Sequence, residues 1–221
     1  MRRQIVQELL DDDLGTPAEI AQSLRDLQRI NNWLGGTWTT IRLLRRVAEQ
    51  RGCHSLSLLE IGAGNGHVPL AARERLARRG IKLSITLLDR VASHLPQNGD
   101  AAVVADATRL PFRDGSFDVV AFNLLAHHFA PEMLERVAGE ALRVARVAVL
   151  INDLIRSRLH LALCYTGLPL FRSRLTWHDA PASVRQAYTI EEMRDIVSRT
   201  GARKVEITRH FLYRMGVLLW K

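Results

Sequence analysis

Cysteine, lysine, acid and long apolar runs are all scarce in this chain, and each scarcity removes a class of protein. Cys53 and Cys164 are the only cysteines in 221 residues. They lie far apart without metal-type spacing, so they make neither a disulfide framework nor a zinc knuckle, and free thiols suit a cytoplasmic setting. The greasiest stretch, "LHLALCYTGLPLF" (159–171), is broken by His160, Gly167 and Pro169 and is too short to span a bilayer. The opening "MRRQIVQELLDDD" has no apolar core followed by a small-residue cleavage site, so no signal peptide is expected. No internal repeat or low-complexity tract appears. No His/Cys/Asp/Glu cluster at metal-ligand spacing stands out, so no metal is expected. Acid is the charge in deficit: the formal net charge is +8, and residues 151–221 hold 12 Lys/Arg against 6 Asp/Glu. Such an excess raises the question of an anionic partner. The basic residues form no tight run, however, and aromatics (6%) do not interleave with them, which weighs against nucleic acid.

What is present falls into two textures. Residues 1–50 read as helical: Ile5, Val6, Leu9 and Leu10 give one amphipathic face. A second helix starts at Thr16-Pro17, cap then first helical residue, and continues through Ile20, Leu24, Leu27 and Ile30. "NNWLGGTW" (31–38) interrupts the period, which Ile41, Leu44 and Val47 resume. From residue 55 the pattern alternates. Strands are expected at 55–62, 82–89, 101–107, 117–123 and 147–153, and helices at 67–80, ended by Gly80, and 131–145, opened by Pro131. The strands are mostly continuous apolar runs, as in a parallel sheet buried on both faces, so the fold class is α/β, doubly wound and Rossmann-like. Asp114-Gly115-Ser116 is a turn before a strand. Residues 154–188 lack a clear strand and read as a helical insertion. Thr189 and Glu192 form a capping box for a helix ending at Gly201, and residues 202–221 read as two strands turning near Leu212 to Arg214. The expected layout is a single domain over 1–221: a helical cap (1–50), a cofactor-binding core (51–153), a helical lid (154–188), and a C-terminal helix with a strand hairpin (189–221).

"LLEIGAGNGHVPLAA" (58–72) carries the chemistry. Gly62, Gly64 and Gly66 sit at the end of the first strand, where open α/β sheets bind ligands. No Lys-Ser/Thr follows, which removes a nucleoside-triphosphate loop. The dinucleotide fingerprint needs its third glycine at 67, and that position holds His67, so the pyrophosphate reading weakens. The acids decide further. Glu60 ends the first strand, Asp89 ends the second where a carboxylate can accept both ribose hydroxyls, and Asp106 ends the third where it can accept from an adenine amine. Three carboxylates with no dedicated cation repel a pyrophosphate and attract a sulfonium and an ammonium. S-adenosylmethionine carries both charges, with ribose and adenine and no phosphate.

These residues, with "LLDR" and "ADATRLPFRDGSFDVVAFNLLAHHF", resemble the successive motifs of class I S-adenosylmethionine-dependent methyltransferases, in the small-molecule branch that includes quinone-biosynthesis C-methyltransferases. The resemblance spans about residues 55–153. It implies a seven-stranded sheet with an antiparallel last strand. It also implies that Gly62, Ala63, Gly64 and Gly66 line the methionine part, that Asp89 with Arg90 beside it holds the ribose, that Asp106 and Ala107 hold the adenine, and that Asn123 lies near the methionine end. "INDLIRSRLHLAL" and "SRLTWHDAPASVRQAYT" are similar to methyltransferases that accompany polyketide or phenolic-lipid pathways. The implied activity is methyl transfer by in-line displacement to a small, hydrophobic acceptor, phenolic, quinone-like or polyketide-derived.

His127 and His128 follow the fourth strand, where a base could deprotonate a phenol, although such a pair also packs structurally. Trp33, His178 and Tyr188 are candidate substrate contacts. The alternatives are a nucleic-acid methyltransferase, against which "NLLA" in place of an Asp/Asn-Pro-Pro-aromatic segment counts, and a non-catalytic protein of the same fold that binds the cofactor.

Overall fold

Thr16 begins the first helix as the sequence requires: its hydroxyl accepts from the Glu19 amide while the Glu19 carboxylate accepts from the Thr16 amide, with Pro17 in the first helical position. In the computed structural model, which describes residues 1–10, 14–96 and 101–221, this gives α1 (Pro17–Trp33), followed by α2 (Gly36–Arg51). The alternating part then runs β1 (Ser55–Ile61), α3 (His67–Ala77), β2 (Lys82–Asp89), β3 (Ala101–Val104), β4 (Phe117–Asn123), α4 (Pro131–Val144) and β5 (Ala145–Leu154). Two helices, α5 (Arg158–Gly167) and α6 (Arg174–Gln186), precede α7 (Ile190–Val197) and the hairpin β6 (Lys204–His210) and β7 (Arg214–Trp220).

The strands form one sheet in the order β3-β2-β1-β4-β5-β7-β6. All pairs are parallel except those of β7, which runs antiparallel to β5 and β6. Side chains alternate across each strand. Leu59, Ile61, Val120, Phe122, Val149 and Ile151 therefore meet α4 and α7 on one face, while Leu56, Leu58, Val119, Ala121 and Leu150 meet α2 and α3 on the other. The chain travels outward from β1 to β3 and returns to β4 on the other side of β1. That reversal leaves a crevice beyond the carboxyl ends of β1 and β4, flanked by the loops that carry the sequence motifs.

Two expectations fail. Residues 1–10 are not helical: they run as a strap along the molecule, with a turn at Leu9-Leu10. Their amides bond far along the chain, Gln4 N to Arg185 O at 3.1 Å, and Leu9 N and Leu10 N to the two oxygens of Asp179 at 2.8 and 3.0 Å. The part of the helical expectation that falls on residues 11–13 lies outside the described residues. β3 also stops at Val104, because Asp106 turns the chain by accepting from the Thr108 amide and hydroxyl, both at 2.7 Å. Among the described residues no helix is long and apolar enough to cross a membrane.

Candidate functional site

Gly62, Gly64 and Gly66 all adopt left-handed φ, at 64°, 51° and 70°. A Cβ on Gly62 would lie 2.8 Å from Leu125 and one on Gly66 2.7 Å from Leu87, so those two glycines let the loop pack. A Cβ on Gly64 would meet nothing within 4 Å, so its backbone faces open space. The loop is tied to β2 by Ala63 N to Leu88 O at 3.0 Å and by Gly64 N to Asp89 Oδ2 at 2.8 Å. The other Asp89 oxygen accepts from Val91 N at 3.0 Å. Asp89 is thus a brace for the glycine loop as well as a carboxylate at the rim of the crevice. Asp106 is exposed, and its bonds to the Thr108 amide and hydroxyl hold it below the usual carboxylate range; Arg90, also exposed, adds a smaller pull. Ala107 follows, half-buried.

Glu60 behaves differently from the other two acids. It is 1% exposed; Oε1 accepts from Asn123 Nδ2 at 2.7 Å, while Oε2 has no partner. Burial pushes its carboxyl up to about 8 against the Asn123 bond, which pulls the other way. Of the three expected anions, Glu60 is therefore shifted toward its neutral form in the protein alone. Asn123 is committed as well: its Oδ1 accepts from Thr40 Oγ1 at 2.5 Å and Asn152 Nδ2 at 2.8 Å, and Asn152 Nδ2 also reaches Gly36 O at 2.8 Å. This network ties the ends of β1, β4 and β5 to the start of α2. Sequence reasoning missed Thr40 and Asn152, and only the polar "ND" that closes an apolar strand signalled the second. Leu124, next after β4, carries a left-handed φ of 56°, a strained backbone for a branched residue at the crevice edge.

The histidine pair sits in a short 3-10 turn (Ala126–His128) after β4, with ring centroids 4.2 Å apart. His127 is 2% exposed. Asp153, at the end of β5, grips it twice, through the His127 amide at 3.0 Å and Nδ1 at 2.7 Å. Glu8 of the strap brings Oε1 to 3.5 Å from Nε2. Burial alone would lower the imidazole pKa, but the two carboxylates outweigh it and hold His127 above the usual range. Glu8 itself accepts from Ser183 Oγ at 2.7 Å and Gln186 Nε2 at 2.5 Å. Arg3 fastens the strap by donating to the carbonyls of Gln186 (2.6 Å), His127 and Phe129 (both 2.8 Å). Sequence reasoning missed both Glu8 and Asp153.

The three expected substrate contacts occupy unlike settings. Trp33 closes α1 and is 61% exposed. His178 lies on α6, with Nδ1 2.9 Å from Asp179, the residue that also holds the strap. Tyr188 is buried, its hydroxyl donating to Phe129 O at 2.7 Å and its ring covered by the Arg3 guanidinium at 4.2 Å, so it packs in the interior.

A family described as "Methyltransferase domain" matches residues 59–149, the span from β1 to β5. A malonyl-[acyl-carrier protein] O-methyltransferase of Geobacter sulfurreducens is 30% identical over 186 residues, 75% of this chain; the chain spans only 64% of that relative's length. Among solved structures, the plantazolicin methyltransferase BpumL, in complex with a monoazolic desmethylPZN analog and SAH, has a TM-score of 0.68 at 12% identity, covering 97% of this chain and 94% of its own. A SAM-dependent methyltransferase from Aquifex aeolicus has a TM-score of 0.53 at 14% identity, over 75% of this chain and 81% of its own. Strand order, motif positions and these likenesses agree: residues 59–149 form a methyltransferase domain, and the chain shares the fold of S-adenosylmethionine-dependent methyltransferases.

Proposed function

We propose that the chain transfers a methyl group from S-adenosylmethionine to a small, apolar acceptor of the phenolic, quinone-like or polyketide-derived kind. The observation that carries the reading is Gly64, whose backbone faces open space while its amide is fixed on Asp89. A bare loop beside an anionic strand end, with no dedicated cation, suits a cationic nucleoside better than a phosphate ester. Gly62, Ala63, Gly64 and Gly66 would line the methionine part, Asp89 and Arg90 the ribose, and Asp106 and Ala107 the adenine. The unpartnered Oε2 of Glu60 suits an ammonium, whose charge would draw this acid into its ionised form.

When bound, the cofactor supplies a methyl carbon already activated by its sulfonium. What remains for the chain is alignment of the acceptor and exclusion of water. The strap, α1 and α6, which pack on one another, act with α2 and α5 as cap and lid over a core at 51–153. His127 and His128 stand at the acceptor end; His127 acts with Asp153 as a fixed unit, and His128 is the more accessible of the two. The name of the curated relative, a malonyl-[acyl-carrier protein] O-methyltransferase, supports methyl transfer and puts an acyl-carried acceptor among those to try.

The test offers labelled S-adenosylmethionine with a panel of alkylphenols, quinols and short acyl thioesters, and follows label in the organic extract. Transfer to at least one acceptor is expected, and to RNA none. Transfer to RNA alone, or to nothing while S-adenosylhomocysteine binds, removes the acceptor class or the activity respectively.

A further inference from the structure

The strap brings Glu8 to the histidine pair, a group of side chains that no local pattern joins. Glu8, His127 and His128 place donor atoms all within 4.8 Å of one another. His127 is 2% exposed, and its Nε2 has no hydrogen-bond partner. The ring cannot turn to find one, because Asp153 holds Nδ1 at 2.7 Å and the backbone amide at 3.0 Å. Nε2 is therefore aimed at Glu8 Oε1, 3.5 Å away. That is long for an N–H···O bond. It is close to the roughly 3.4 Å edge of a tetrahedron whose corners lie about 2.1 Å from a zinc-sized ion.

The surroundings have the form of a metal site's outer layer. An imidazole that ligates through one nitrogen is oriented by a carboxylate on the other, and Asp153 stands in that place. A ligating carboxylate is itself hydrogen-bonded, and Ser183 Oγ (2.7 Å) and Gln186 Nε2 (2.5 Å) both donate to Glu8 Oε1, the oxygen that faces His127, which fixes the carboxylate with its other oxygen left to turn toward an ion. Two imidazoles with one carboxylate suit zinc, iron(II), cobalt(II) or manganese(II), whereas magnesium and calcium take oxygen ligands.

We propose that Glu8, His127 and His128 bind a divalent transition-metal ion, with Asp153 orienting His127 and the N-terminal strap closing the site. The donors come from the strap and from the turn after β4, so the ion also clasps residues 1–10 to the core. With three protein ligands, one position stays available for an oxygen ligand. Its use on an acceptor oxygen rests on the proposed function; the binding of the ion does not.

The experiment uses the untagged full chain, stripped with chelator, dialysed and titrated with cobalt(II) and zinc(II) by calorimetry and visible absorption. One equivalent should bind, with cobalt(II) giving d–d bands of a low-coordinate nitrogen and oxygen site. Glu8→Gln and His128→Ala should each weaken binding by at least about tenfold, and Asp153→Asn by about 10–100-fold as a residue acting through His127. Circular dichroism and S-adenosylhomocysteine binding report that each variant is folded. Absence of stoichiometric binding, or binding that Glu8→Gln and His128→Ala leave unchanged, overturns the site, and His127 is then an imidazolium held between two carboxylates. If the cofactor product still binds in that case, the proposed function survives the loss of the metal.

Discussion

A carboxyl among buried strand ends, with one oxygen unpartnered, resists ionisation, and Glu60 has a measurable signature of this. Its ordinary value is 4.5 and its folded value about 8. Between those values the native state keeps a proton that the unfolded chain has released. The stability owed to protonated Glu60 is therefore complete below pH 4.5, falls as pH rises, and is gone above about 8. Glu60→Gln cannot ionise. Its unfolding free energy relative to the parent should grow by something on the order of 3–5 kcal/mol between pH 5 and 8.5, read from urea unfolding without cofactor. A flat difference across that range would mean that Glu60 ionises freely. Asp89 predicts the converse experiment. Asp89→Ala strips the Gly64 and Val91 amides of their acceptor and should cost about 1–3 kcal/mol in urea unfolding. It should also weaken S-adenosylhomocysteine in calorimetry by at least about tenfold, as loss of a charge-assisted bond implies. Unchanged affinity would take Asp89 out of the crevice.

At the scale of elements, Arg3 anchors the strap beside Glu8 and the amides of Gln4, Leu9 and Leu10. Arg3 donates to three carbonyls and covers the Tyr188 ring. Arg3→Ala should lower stability by about 1–3 kcal/mol and expose residues 1–10 to protease well before the core is cut, as mass spectrometry of a limited digest would record. Equal digestion of parent and variant would show that the strap is held elsewhere. The strap also marks where the sequence stops being legible. β2 at 82–89 and β4 at 117–123 lie where the apolar runs put them, and the Thr16–Glu19 and Thr189–Glu192 boxes form because both partners sit within one turn. Those signals are local. Residues 1–10 have the same helix-like spacing, yet their amides are taken by groups about 170 to 180 positions away in sequence, which no local period records. The same reason hid the partners of His127: the pair was visible, but Asp153 lies 26 residues on and Glu8 belongs to the misread segment. The glycine loop and Asp89 stood out because their spacing alone carries the chemistry. The neutrality of Glu60 did not, because burial belongs to the assembled sheet.

For the whole molecule, the crevice lies where the strand order reverses, and ligand there would touch the loops after β1, β2, β3 and β4 together. A ligand bridging that many elements stabilises the native state and not the unfolded one. S-adenosylhomocysteine at a hundred times its Kd should add about 2.7 kcal/mol, and for a chain of this length that raises Tm by about 5–10 °C. Charge separates this outcome from the polyanion alternative. The chain carries +8, so nucleic acid would bind through counterion release and lose affinity steeply between 50 and 200 mM salt. The nucleoside product has no phosphate, and the groups expected to meet it are the Gly64 backbone and two strand-end carboxylates, so its Tm shift should be nearly the same at both salt concentrations. Differential scanning fluorimetry with S-adenosylhomocysteine and with a structured RNA, each at 50 and 200 mM KCl, reads both slopes at once. A product shift that vanishes with salt, or an RNA shift that survives it, would mean that the +8 surface rather than the glycine crevice selects what this protein binds.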